Sequence, residues 1–162
     1  MSEASGHRYI VALGSNMQLS GVGGPRAVLG AAIEAFAADD EQDVLAISPT
    51  IESEPVGPSQ RRYANAAMLA ASPLSPPDVL ALLQAVERDF GRKRRGQRWR
   101  ARTLDLDIVL WSGGIWVSPD LAIPHPAFRE RPFVLHPAAH IAPRWRDPLT
   151  GLTLRQLAAR AA

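Results

Sequence analysis

The sequence predicts an α+β fold of β-α-β-β-α-β order: an antiparallel sheet with two helices packed on one face, extended by a hairpin and a short C-terminal helix. Three observations carry this. Residues 28–36 and 79–90 repeat apolar side chains at helical spacing, short β-prone runs flank both, and 104–108 alternates apolar with charged residues at a period of two. A chain of 162 residues and 17.5 kDa buries roughly 70% of its unfolded surface in one core, so a single domain over 1–162 is expected.

The first strand is Arg8 to Leu13, an apolar run closed by the turn Gly14-Ser15-Asn16. Gly21 to Gly24 lengthens the loop, and Pro25 suits the first position of a helix whose core stripe is Val28, Leu29, Ile33 and Phe36. The acids at Asp39 to Glu41 end it. Two strands are expected next, Val44 to Ile51 and Tyr63 to Ala71, separated by Glu54-Pro55-Val56-Gly57-Pro58 and the polar residues 59–62. That connection is long for a hairpin, and long loops tend to carry function.

Pro76, Pro77 and Asp78 open the second helix, striped by Val79, Leu82, Leu83, Val86 and Phe90 and ended by Gly91. Gln84 and Glu87 lie on another of its faces. Thr103 to Trp111 is the next strand, and Ser112-Gly113-Gly114 is expected to turn it back into Ile115-Trp116-Val117, with Trp111 and Trp116 as a cross-strand pair. The tail is punctuated by proline until Leu152 to Ala161, whose spacing suits a short helix.

Composition excludes several functions. The absence of cysteine removes disulfides, a thiolate zinc site and a cysteine nucleophile together, and points to the cytoplasm. No run of about 18 apolar residues is present, so no membrane span is expected. The net charge of +2 hides an asymmetry: Arg92 to Arg102 carries seven basic residues and no acid, leaving the remainder at −5. A weakly acidic body with one basic segment suits a local anion site better than a surface that coats nucleic acid. A merely solvated arginine-rich loop is the plainer alternative.

The chemistry concentrates in Thr103-Leu104-Asp105-Leu106-Asp107-Ile108. On a strand, both aspartates project from one face about 7 Å apart, while the apolar residues turn to the core. Carboxylates so placed can flank two magnesium ions that complete their shells with water and phosphate oxygens. Alone, the pattern is weak and more often the wet face of an ordinary strand; beside seven basic residues it describes a polyphosphate site better than either feature does alone. No P-loop and no dinucleotide-binding glycine pattern is present, so a nucleotide would be held by another layout. Arginine, planar and always charged, suits that task.

These residues carry a resemblance. Trp99-Arg100-Ala101-Arg102-Thr103-Leu104-Asp105-Leu106-Asp107-Ile108 is similar to the signature of the 6-hydroxymethyl-7,8-dihydropterin pyrophosphokinase family, commonly Trp-Gly-Pro-Arg-Thr-Leu-Asp-Leu-Asp-Ile. Further family motifs follow in order: Ala12 to Asn16, Pro55 to Pro58 with Tyr63 to Ala66, Gly91-Arg92, Pro124-His125-Pro126, and Arg131 to Leu135. The resemblance implies a ferredoxin-like fold and transfer of pyrophosphate from ATP to the pterin hydroxymethyl group, with AMP released. It implies a cytoplasmic enzyme of folate biosynthesis, expected to be a monomer, with no nucleic-acid or membrane partner.

It also implies roles. Asp105 and Asp107 would bind two Mg²⁺ ions, and Arg92, Arg94 and Arg102 would hold phosphates. Trp99 would sit on a closing loop, while His125 and Arg131 contact the triphosphate from the opposite wall. Gln84, Glu87 and Ile108 match nucleotide positions. Tyr63 and Phe133 would sandwich the pterin, with Asn65 and the backbone of Ser53, Glu54 and Val56 reading its polar edge. His136 and His140 match no family site. The chain departs from the pattern at Arg100-Ala101, where Gly-Pro is usual, and at Asp120 and Ala122, where some members have arginine and threonine near the nucleotide.

Two other classes stand beside this one. An RNA-binding module of this fold needs exposed strand aromatics for base stacking, whereas this strand offers two carboxylates that repel phosphate. A two-metal nucleotidyltransferase would share the carboxylates and differ in which part of ATP reaches the acceptor.

Overall fold

The computed structural model describes residues 6–53, 63–92 and 103–161, apart from the side chains of Ser53 and Arg92. Strand β1 (His7–Ser15) lies at the centre of a sheet, flanked on one side by β4 (Tyr63–Ser72) and on the other by β5 (Leu104–Trp111), both antiparallel to it. β2 (Asp43–Ile47) and β3 (Ile51–Ser53) follow one another along the outer edge of β4. The order β2-β4-β1-β5 is that of the split βαβ fold.

The strand expected over Val44 to Ile51 is therefore two short ones. Pro49 interrupts it because proline has no N–H to give to a ladder. Ser48 fills the gap, its hydroxyl accepting from Ala67 N–H at 2.9 Å and donating to the Pro49 carbonyl at 2.9 Å.

Helices α1 (Pro25–Ala37) and α2 (Pro76–Arg92) cover one face of the sheet, where Val28, Leu29, Phe36, Val79, Leu83 and Phe90 meet Tyr9, Val11 and Leu13. The opposite face carries α3 (Pro132–Ile141) and the expected C-terminal helix, α4 (Leu154–Arg160), which bury Val134, Leu135, Leu154 and Leu157 against Ile10, Ala67 and Leu110. α3 falls in the proline-punctuated segment, where no helix was expected. Pro132 occupies the first turn, where a missing N–H costs nothing, and Pro137 is tolerated inside because burial of the helix face outweighs one lost hydrogen bond.

The hairpin also differs from expectation. Gly114, at φ +99°, does turn the chain after Trp111, but β6 (Trp116–Ser118) then pairs with β7 (Leu121–Ile123) in a separate two-stranded sheet and not with β5. The two tryptophans still meet, edge to face with ring centroids 5.8 Å apart. Gly113 is required by close approach, since a Cβ there would lie 2.3 Å from the Trp111 ring. Among the described residues no helix is long and apolar enough to cross a membrane.

A buried ionic knot holds the chain that enters α3. Asp147, fully buried, accepts from Arg129 Nε at 2.6 Å and Nη2 at 2.7 Å, from Leu149 N–H at 3.0 Å and from the Thr150 hydroxyl at 2.8 Å. Burial alone would raise its pKa; these hydrogen bonds and the arginine charge outweigh that and hold it at about 2. A depressed carboxylate pKa stabilises the fold above the unfolded value and loses that contribution as pH falls through the folded one. Wild-type protein should thus lose about 2 kcal/mol more than Asp147→Asn between about pH 4 and about pH 2. Urea unfolding of both across that window measures it, and parallel stability curves would remove the knot's role.

Candidate active site

The sheet register assembles the site. Asn65, Gly14 and Asp105 are direct partners across β4, β1 and β5, and two residues along come Ala67, Ala12 and Asp107. Direct partners share a face, so an amide and two carboxylates stand on the α3 side with only a methyl and a hydrogen between them. The resulting cavity of about 350 Å³ has Ala12 and Gly14 as floor, Tyr63 and Asn65 on one side, and Asp105 and Asp107 on the other. Arg131 and Phe133, at the start of α3, overhang it. A Cβ on Gly14 would sit 3.1 Å from Asn65 Oδ1, inside this space.

A second cavity of about 430 Å³ lies along the outer edge of β5, between Gln84 of α2 and the β6–β7 turn, with Ile108, His125, Asp120 and Ala122 in its walls. Asp107 lines both cavities. Ile108 is only 3% exposed and its side chain belongs to the core, so its backbone is what the cavity can use. β5 is the last strand of the sheet. The Leu106 N–H points outward, donating to Glu87 Oε2 at 2.7 Å, and the Ile108 backbone two residues on shares that direction. Glu87 thus braces the strand and lines neither cavity.

Burial raises the pKa of Asp105, and the charge of Asp107 raises it further, against a hydrogen bond from Thr103 and the Arg131 charge. Burial likewise raises Glu87; the Leu106 N–H and Arg88 oppose this, while both aspartates add to it. Asp105 is therefore held at a cost that a cation would relieve. Oxygen donors favour hard cations, and among the described residues no group of three or more His, Asp or Glu is gathered to enclose one. Two carboxylates alone fit magnesium, which keeps water and takes phosphate oxygens for its remaining positions. His125 accepts the Ala127 N–H on Nδ1 at 3.1 Å, which places the proton of the neutral ring on Nε2. Burial lowers its pKa, Arg131 does so too, and Asp107 opposes them.

Of the residues selected from sequence, Asp105, Asp107, Tyr63, Asn65, Phe133 and Arg131 share the first cavity, and Asp107, Gln84, Ile108 and His125 the second. Phe133 is 40% exposed and so is not a core residue. Ser53 pairs with Tyr63 through the backbone and Arg92 ends α2. Glu54, Val56, Arg94, Trp99 and Arg102 lie outside the described residues. Three residues of the quoted motifs contribute without a role read from sequence: Ala12 and Gly14 as the floor, whose signal is small side chains at alternate positions of a central strand, and Thr103, which follows the basic run and hydrogen-bonds Asp105.

A sheet edge that presents two aspartates beside an arginine, where two ligand-sized cavities meet, suits a transferase of phosphate groups. The chain belongs to the 7,8-dihydro-6-hydroxymethylpterin-pyrophosphokinase (HPPK) family, whose model matches residues 10–143. It is 42% identical over 142 residues to the 2-amino-4-hydroxy-6-hydroxymethyldihydropteridine pyrophosphokinase of Pseudomonas aeruginosa, covering 87% of this chain and 84% of that one. The enzyme of the same name from Synechocystis is 39% identical over 151 residues, covering 93% and 74%. The crystal structure of Plasmodium falciparum HPPK-DHPS with pteroate superposes with a TM-score of 0.69 at 11% identity, over 99% of this chain and 43% of that longer one. At that identity the likeness establishes the fold alone.

Proposed function

We propose that the reaction of this family, transfer of pyrophosphate from ATP to 6-hydroxymethyl-7,8-dihydropterin with release of AMP, takes place with the pterin in the first cavity and the nucleotide in the second. One observation carries the reading: Asp107 lines both cavities, with Asp105 beside it on the same strand face, so groups held on either side meet at the carboxylates. Asp105 and Asp107 would hold two Mg²⁺ ions, which supply charge neutralisation across the polyphosphate when bound. A cysteine-free chain of this family suits the cytoplasm.

The chain's own residues position and screen. Tyr63 and Phe133 offer two aromatic faces to a flat heterocycle, and Asn65, only 6% exposed, offers donor and acceptor to its rim. The glycine floor leaves room for the ring. The outward backbone of Ile108 and the Gln84 amide suit the edge of a nucleobase, and neutral His125 presents Nε2–H to a phosphate oxygen of the departing AMP. Arg131 adds a fixed positive charge opposite the aspartates. From the family motif, Arg92, Arg94 and Arg102 hold phosphates, Trp99 closes over them, and the backbone of Ser53, Glu54 and Val56 reads the pterin. In-line displacement at the β-phosphorus needs little more than such positioning and charge.

Phe133→Ala should weaken pterin binding by about 1–3 kcal/mol, the scale of one aromatic stacking contact, and leave binding of a Mg²⁺–nucleotide analogue nearly intact. Separate calorimetric titrations with each ligand measure this. Loss of nucleotide with retention of pterin would exchange the occupants of the two cavities.

A further inference from the structure

We propose that Thr103 is a positioning residue that ties the wall of the pterin cavity to the cation-binding carboxylates through a directed hydrogen-bond chain from Tyr63 to Thr103 to Asp105. This rests on the site assignment above and adds a residue and a connection to it.

The connection is geometric. The Tyr63 hydroxyl lies 3.2 Å from Thr103 Oγ1, and Thr103 Oγ1 lies 3.4 Å from Asp105 Oδ2. An ionised carboxylate can only accept, so the threonine proton is directed to Asp105. The threonine oxygen is then left as acceptor, and the tyrosine must donate to it. One direction of donation therefore runs from an aromatic face of the first cavity to the carboxylate beside it. Both links are longer than a relaxed hydroxyl hydrogen bond, so each can shorten without any change of partner.

The motif Gly14-Ser15-Asn16 fixes the middle of this chain. The Thr103 carbonyl accepts from Ser15 Oγ at 2.9 Å and from Asn16 N–H at 3.3 Å, and the Thr103 N–H donates to Asn16 Oδ1 at 2.8 Å. Ser15 and Asn16 are buried, and Ser15 Oγ also accepts Met17 N–H at 2.9 Å. Both backbone groups of Thr103 are thus clamped to the end of the central strand, and its hydroxyl is placed between Tyr63 and Asp105 by the two hydrogen bonds it makes there. Tyr63 is set by its own position in β4, and Asp105 by its pairing with Gly14.

Hydrogen-bond partners of ligating carboxylates orient them, and their loss characteristically weakens metal binding. Thr103→Val keeps the shape and removes the hydroxyl. The test is calorimetric binding of Mg²⁺ with a non-hydrolysable ATP analogue, without pterin. Thr103→Val should bind about tenfold more weakly, the low end for such partners, whereas Thr103→Ser should stay within about twofold of wild type. Tyr63→Phe, which keeps the ring and lies on the pterin side, should weaken the same binding by roughly threefold, and in the Thr103→Val background it should add nothing. Wild-type binding by Thr103→Val, or multiplying effects in the double variant, overturns the chain. Asp105→Asn separates the two failures: if it weakens binding while Thr103→Val does not, the chain alone is wrong, and if it too binds as wild type, the cation assignment falls and the chain with it.

Discussion

Asp105→Asn and Asp107→Asn should each lower turnover by more than about a thousandfold at saturating Mg²⁺, the upper end for removing one preorganised charge-stabilising group. Each variant should remain folded. Asp105, partly desolvated in the cavity yet still open to solvent, and half-buried Asp107 both lie on the cavity side of β5, while Leu104, Leu106 and Ile108 hold the strand in the core from its other face. Amides preserve that packing. They also remove the desolvation of a charge and, after it, the Asp107 repulsion that together raise the pKa of Asp105, so Asp105→Asn should resist denaturant at least as well as wild type at neutral pH. Steady-state kinetics paired with urea unfolding checks both halves. Turnover near wild type in either variant would leave the two-metal assignment without support, and a collapse in stability would make these residues structural.

Arg131→Met should cost on the order of a hundredfold in kcat/KM. Its guanidinium lies in the first cavity wall with Asp105 and Asp107 and acts electrostatically on both Asp105 and His125. A fixed cation there stabilises charge that develops on phosphate, and methionine keeps much of the bulk while removing the charge. Lysine should restore only part of the loss, since an ammonium cannot grip two oxygens in a plane. Arg144, exposed and lining neither cavity, is the control. Equal and small losses for Arg131→Met and Arg144→Met would point to a diffuse field and remove Arg131 from the site.

The sequence made some of this legible and not the rest, for physical reasons. Period-two alternation places Asp105 and Asp107 on one face without knowledge of any other strand, and apolar spacing outlines α1 and α2, because both are local consequences of backbone geometry. The row Asn65–Gly14–Asp105 could not be read, because cross-strand register is decided by packing across the whole sheet. α3 was hidden by Pro132 and Pro137, whose local preferences are overridden by burial of Val134, Leu135 and Ala138. The Gly-Gly turn announced a reversal correctly but not which strand β6 would meet. The second cavity borrows residues 118–122 from that unforeseen hairpin, so its shape was out of reach too.

β5 lies at the border of the sheet, and an open border is a hazard because it offers ready-made pairing to any stray strand. Here it is closed piecemeal: Glu87 takes the Leu106 N–H, and the Val109 carbonyl receives His125 N–H at 3.0 Å. Among the described residues, these hydrogen bonds leave out the short stretch around Ile108, at the rim of the second cavity. A gap that size admits a small planar molecule more readily than another polypeptide. If the nucleotide occupies the second cavity as proposed, binding and closure of this border draw on the same few backbone groups, and an occupied cavity should shield the border from stray strands.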